Sequence, residues 1–355
     1  MVTESGPVIG YVPFDAGRDR PGDRRRFPAH AARRGITYRE VTGWEGLDVV
    51  VLSSRADMTH WIDAPPDLRV VVDLPDAVMA EQAGARSALR GVARWVAGLS
   101  RRPVLDYQAA LVRMLERADA VVCSTPEQKA VLGGFCDQVE VVLDAHAEFD
   151  ECDPVTPRRG DGLDVVWEGM VATLPALAQV VPALRVIAGQ RPVRLHVVTD
   201  RRYPRYLERF AIGDTSRIVS DWGIPLALYQ WDRSTMPAIA RSCDLALVPV
   251  DLADPAALGK PENRMRIFWR LGLPVLASDS PAHRRAVVGA GISTDVLCVG
   301  QQGWTDALTR YAGDPEARAD LARRGHEAAM TSYSEDRIAE GWDRVLASVG
   351  VGTGT

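Results

Sequence analysis

The feature that most constrains this chain is a set of short apolar runs that lack polar alternation. Leu245 to Val250 and Val275 to Ala277 are the clearest, and such runs suit parallel strands covered on both faces. Further strands are predicted at Val8 to Val12, Ile36 to Val41, Leu47 to Leu52, Leu68 to Asp73, Ala120 to Ser124, Val139 to Leu143, Leu163 to Trp167, Val193 to Thr199 and Leu226 to Trp231. Most are bounded by Gly, Pro or Asp, the residues that end strands. Between them the patterning predicts helices at Arg24 to Arg34, Arg86 to Leu99, Val104 to Arg117, Pro126 to Phe135, Ala172 to Ile187, from Arg202 to about Phe210, and at Thr235 to Ser242. After Leu297 the chain reads as helical, at Trp304 to Tyr311, Pro315 to Met330 and Ser334 to Ser348. Alternating strands and helices imply an α/β protein with doubly wound parallel sheets.

The pattern breaks once. Glu148 to Gly162 is acidic, carries Pro154, Pro157 and Gly160, and has no apolar period, so the linker between two domains is placed there. A chain of 355 residues that is 46% hydrophobic and 25% charged is large enough for two cores. Its net charge of -5 argues against a general nucleic-acid binder. No apolar run reaches the roughly twenty residues that span a bilayer, and the N-terminus lacks a basic stretch leading into an apolar one, so a cytoplasmic location is expected. The five cysteines are widely spread without a C-x-x-C pair, as expected for reduced structural thiols.

Between the two clearest runs stands Gly259-Lys260-Pro261-Glu262-Asn263-Arg264, followed by a short helix and Gly272-Leu273-Pro274-Val275. Pro261 is a start signal and Gly272 with Pro274 a stop signal. Unpaired amides at a helix N-terminus, with Lys260 and Arg264 beside them, could receive an anion with several oxygens, such as a diphosphate. A solvated helix cap would account for the same residues. Two features favour the anion: the position at the carboxyl end of a parallel strand, and the scarcity of lysine, with only Lys129 and Lys260 in the chain.

From Asp244 to Val288 the chain resembles the nucleotide-binding half of GT-B glycosyltransferases of the group 1, family 4-like type, through Lys260, Asn263, Arg264, Gly272, Pro274 and Val275. The resemblance implies two Rossmann-like domains facing a central cleft. Residues 1–150 would bind an acceptor, 151–333 a nucleotide sugar, and a last helix in 334–355 would cross back to the first domain. It implies a retaining, metal-independent transfer from a nucleotide-diphosphate sugar to a hydroxylated acceptor: a glycan, a lipid-linked saccharide or a natural product. Lys260 and Arg264 would neutralise the leaving diphosphate, and no Asp-x-Asp at a strand end or His/Asp cluster offers a metal site. The only co-substrate expected is the sugar nucleotide, with no cofactor.

Two departures stand out. Where many relatives carry a ribose-binding glutamate, seven positions after the lysine, this chain has Ile267, so Glu262 is the alternative ribose ligand. The basic pair that often follows the first strand of the second domain is missing after Glu168-Gly169, so Arg201 and Arg202 would supply that charge. Asp279 and Ser280 are candidates for sugar contacts or ordinary turn residues, and His283 reads as a surface helix residue. In the first domain, Asp76 after Asp73-Leu74-Pro75 could orient an acceptor hydroxyl or cap a helix. The loop from Tyr11 to Arg26 reads either as a flexible loop meeting an anionic or hydroxylated acceptor or as simply solvated, and His146 as structural or as a residue at the domain junction. Arg86, Arg90 and Arg94 recur at four-residue spacing beside Trp95 and Val96, either as an amphipathic helix on the sheet or as a basic face for peripheral contact of 86–102 with the inner membrane face. An epimerase or phosphorylase with the same phosphate cradle, or a non-catalytic relative, remains open as the alternative.

Overall fold

The computed structural model describes residues 6–15, 17–18, 20–76, 92, 95–96, 100–104, 106–158, 160–205 and 211–352. Two units are seen, one made of residues 1–147, 259–261 and 335–355, the other of 148–258 and 262–334.

In the first unit, β1 (Ile9–Val12), β2 (Arg39–Glu40), β3 (Val49–Ser53), β4 (Arg69–Leu74), β5 (Ala120–Cys123) and β6 (Val139–Val141) form a parallel sheet in the order β2-β1-β3-β4-β5-β6. Side chains alternate across the sheet, and both faces are apolar. Val50, Leu52, Val70 and Val72 point to a layer that includes Leu111, Met114 and Leu115 of one helix (Tyr107–Arg117). Val49, Val51, Val71 and Val122 point the other way, onto Phe27 of α1 (Phe27–Arg34) and onto Trp342 and Leu346 of the terminal helix (Glu335–Ser348). Burial on both sides is why these strands read as unbroken apolar runs.

The loop after β1, read as a flexible or merely solvated loop, is anchored at Phe14, Asp15 and Asp23. The Asp23 carboxylate accepts from the Tyr11 hydroxyl at 2.7 Å and from the amides of Phe14 and Asp15 at 2.7 and 2.9 Å. Arg26 is buried beneath it, donating to Asp73 at 3.1 Å and to Asp144 at 3.4 Å. Burial strips solvent from this guanidinium, but Asp73 and Asp144 outweigh that and hold its pKa above the usual arginine value.

The second unit repeats the plan. β7 (Leu163–Glu168), β8 (Val193–Thr199), β11 (Leu226–Gln230), β12 (Leu245–Val248), β13 (Val275–Ser278) and β14 (Leu297–Cys298) pair in parallel in the order β11-β8-β7-β12-β13-β14. Its core gathers Trp167, Leu245, Leu247, Phe268, Trp269 and Leu276. Between β12 and β13 runs α2 (Asn263–Arg270), and α3 (Pro281–Gly289) follows β13. α4 (Pro315–Met330) lies against α2 so closely that a β-carbon on Gly325 would come within 2.6 Å of Trp269 Nε1.

Two sequence expectations are corrected. The helix predicted from Arg202 to Phe210 gives way to an antiparallel hairpin of β9 (Arg202–Arg205) and β10 (Ala211–Asp214), 206–210 lying outside the described residues. The single helix predicted over Ala172 to Ile187 is two, Leu174–Ala178 and Val181–Ala188, meeting at 54°. Pro182, in the first turn of the second, has no N–H to continue the first, and its ring crowds the preceding turn. No single helix among the described residues is long and apolar enough to cross a membrane. The Arg86 to Leu99 helix lies outside the described residues except at Val92, Trp95 and Val96, and the last two are exposed. All five cysteines are free thiols.

Candidate active site

At the carboxyl end of β7 the backbone leaves the sheet through Glu168 and Gly169. Above it stands the first turn of α2, whose N-terminal amides receive no side-chain cap. Four amides at a helix start lack intrahelical acceptors, so an uncapped start is a donor cluster with a positive dipole end. Arg264, the second residue of α2, extends from this turn over Trp167, with its guanidinium 6.0 Å from the ring centroid. Its only hydrogen bond among the described residues is a long one, Nη1 to the Glu168 carbonyl at 3.4 Å. It is half-buried and forms no ion pair among the described residues. Desolvation lowers its pKa from the usual arginine value, with Glu168 pulling the other way. A guanidinium remains protonated under any such shift. The physical content is a cation held partly out of water with too little compensation.

Gly169 is part of the same construction. A β-carbon there would lie 2.8 Å from Trp167 Cζ2 and 3.0 Å from both Arg264 Nη1 and Thr173 Oγ1. Only a residue without a side chain leaves Arg264 its place. Glu168 is turned aside, its Oε1 accepting from Trp231 Nε1 at 2.8 Å.

The other predicted residues divide. Lys260 precedes α2 in the segment 259–261, is half-buried, and makes no ion pair among the described residues. Asn263 opens α2 and accepts from Arg266 at 3.3 Å. Glu262 is the N-cap residue, yet its side chain caps nothing: it is 4% exposed, with Oε1 accepting from the Tyr333 hydroxyl at 3.1 Å. Burial, and then the charge of Glu262, raise the Tyr333 pKa. Glu262 is thus seated under the turn. Ile267 is buried in the core. Arg201 and Arg202 are exposed at the start of the hairpin, with no described side-chain contact to Arg264 or Gly169. Asp279 is held by Arg284, its Oδ1 accepting at 2.9 Å. Ser280 caps α3 by accepting from the His283 amide at 3.2 Å, the turn role among its two readings. Asp76 is exposed just past β4.

His283, expected on the surface of its helix, is buried instead. Its Nδ1 lies 2.8 Å from the Ser278 carbonyl, which accepts only if Nδ1 carries the proton. Burial lowers its pKa to about 4, and the Arg264 charge contributes to the fall. The ring is therefore neutral at pH 7, with Nε2 as its free-lone-pair nitrogen. The period of α3 showed only that His283 lies on a helix; the nearness of the Arg264 charge is a tertiary fact. Among the described residues no group of three His, Cys, Asp or Glu could hold a metal ion.

No protein-family profile and no curated protein matches the sequence. Solved structures do match in fold. Anabaena HepE in complex with UDP and glucose superposes with a TM-score of 0.59 at 12% identity, over 96% of this chain and 100% of that one. WaaG, a glycosyltransferase involved in lipopolysaccharide biosynthesis, gives 0.54 at 12% identity over 97% and 100%. S. aureus TarM, in a complex containing UDP, gives 0.57 at 9% identity over 85% of this chain and 55% of its own, so the chain spans about half the length of TarM. With two six-stranded parallel sheets of this order and these neighbours, the chain has the fold of the GT-B glycosyltransferases.

Proposed function

We propose that this protein transfers a sugar from a nucleotide-diphosphate sugar to a hydroxylated acceptor, without a metal and with retention of configuration. The observation that carries the reading is Arg264, a half-buried cation without an ion pair among the described residues, beside the uncapped N-terminus of α2. A diphosphate placed there gains the guanidinium, the first-turn amides and the helix dipole together. In the transfer, the bond from the anomeric carbon to the phosphate oxygen breaks and one from that carbon to the acceptor oxygen forms on the same face. The hydroxyl proton goes to the departing phosphate oxygen, so no dedicated protein base is required. The negative charge that develops on the diphosphate is what Arg264 and the amides are placed to meet.

Lys260 serves in this reading as a second charge for the diphosphate, and Asp76 as a carboxylate that orients the acceptor hydroxyl. The unit holding α2 binds the donor, and the unit holding β1 to β6 binds the acceptor. Neutral His283 offers Nε2 to a sugar hydroxyl and adds no competing charge. Retention is supported only by the likeness of the Lys260 to Val275 segment to family 4-like enzymes.

Calorimetry against UDP, GDP, ADP and dTDP is the first test. Binding of one of them, lost in Arg264→Ala, is expected. If none binds the intact chain, the reading gives way to a non-catalytic protein, to which the buried Ile267 at the expected ribose position would then belong. Mass spectrometry of products from the matching sugar nucleotide separates transfer from epimerisation.

A further inference from the structure

The first unit holds a recess of about 60 Å³ that none of the chemistry above uses, lined by Arg25, Arg26, His30 and Arg33 of α1 and its approach, and by Glu335 and Trp342 of the terminal helix. At roughly 10–15 Å³ per water-sized atom, it takes about four oxygens. Two buried polar groups in its wall lack hydrogen bonds. His30 is 4% exposed and neither ring nitrogen is hydrogen-bonded; Nε2 stands 3.4 Å from Asp343 Oδ1 without the alignment of a bond. Trp342, stacked on His30 at 6.1 Å between centroids, is 1% exposed, and its indole N–H has no acceptor. Buried polar groups are almost always satisfied, so two such groups in one wall mark a place where something else supplies the acceptors.

We propose that this recess binds a small oxyanion of the phosphate class. The wall carries two N–H donors, of the indole and the imidazole, and positive charge from Arg25, Arg26 and Arg33 beside the start of α1, whose Ala29 and His30 amides bond the Arg26 carbonyl. The dipole end of that helix favours negative charge in the same place. Most carboxylates nearby are already engaged. Asp73 and Asp144 are bonded to Arg26, Asp336 to Arg33, and Asp343 to Arg34, while Glu335 accepts from the His146 amide at 2.8 Å. A phosphate brings several acceptor oxygens and a negative charge together, where a water brings one neutral oxygen, and the unmet N–H groups beside three arginines suit the former. Burial lowers the His30 pKa to about 4, with Asp343 opposing and Arg34 adding to the fall, so at neutral pH the ring offers one N–H and one lone pair. Phosphate binding here is independent of any transfer reaction in the second unit.

Calorimetry of the full chain at pH 7.5 and constant ionic strength, titrated with inorganic phosphate and separately with glycerol 3-phosphate, tests this. Saturable 1:1 binding of phosphate with a Kd on the order of 1 mM is expected. His30→Phe, which keeps the ring and removes the donor, should weaken it roughly tenfold. Arg25→Gln, read alongside, covers the case in which His30→Phe alters folding. Binding must persist in Arg264→Ala, which separates this recess from the diphosphate site. Binding of both probes identifies a phosphomonoester site, and binding of phosphate alone a free-ion site. No saturable binding, binding unchanged in both recess variants, or binding abolished by Arg264→Ala overturns the proposal.

Discussion

Arg264 Nη1 lies 3.0 Å from the point where a β-carbon on Gly169 would stand. The end of one strand and the first turn of a helix some ninety positions later are therefore fitted to each other through a missing side chain. Gly169→Ala is expected to displace the guanidinium or tilt Trp167. Nucleoside diphosphate affinity should fall about tenfold, the worth of one charge-assisted hydrogen bond, at a stability cost on the order of 1 kcal/mol. Calorimetry and thermal unfolding of the same preparation read both.

Arg264→Ala should reduce turnover by on the order of 10²-fold or more while leaving the melting temperature unchanged or slightly higher, because it removes a poorly compensated cation as well as the proposed transition-state contact. Arg264→Lys should recover only part of the rate, since an ammonium cannot present the planar fork. Wild-type turnover in Arg264→Ala would refute the assignment.

Stability should fall as pH drops from about 6.5 toward 4. His283, facing the Ser278 carbonyl, Arg264 and Asp279, and His30, facing Asp343 and Arg34, both have folded pKa values of about 4, below the unfolded value near 6.5. In that window the unfolded chain binds more protons than the folded one, so the folded state loses up to about 3 kcal/mol per histidine. Both contributions are intact above the unfolded pKa. Urea unfolding at pH 7.0, 5.5 and 4.5 measures the slope, and His283→Gln should flatten it.

Gly325→Ala should destabilise the second unit by about 1–3 kcal/mol, despite alanine's better helix propensity, because the new methyl meets the rigid Trp269 ring. Since Trp269 belongs to α2, nucleotide binding at the proposed site should weaken with it. A variant with unchanged melting temperature and unchanged affinity would show that α2 and α4 have slack between them.

The strands were legible because Val49 to Leu52 and Val70 to Val72 are covered on both faces, so the run length alone gave them away. The start of α2 was legible through Pro261 and the cations around it. What escaped reading depends on distant partners. In the sequence Arg26 is one arginine of a polar loop, and only folding brings it Asp73 and Asp144, 47 and 118 residues away. His283 reads as exposed on its own helix until the strand carbonyl of Ser278 and the charge of Arg264 are beside it. The β9–β10 hairpin escaped because Arg-Tyr-Pro-Arg has neither the alternation nor the branched residues of a strand.

The terminal helix gives the first sheet Ile338, Trp342, Val345 and Leu346. During synthesis the strands of that sheet must therefore leave the ribosome and wait, one apolar face covered only in part by α1, until residues 335–348 have been made. A premature stop shortly after Ser334 would leave every strand of that sheet intact and still remove part of the lining of one face, and the product should be a target for chaperones and proteases.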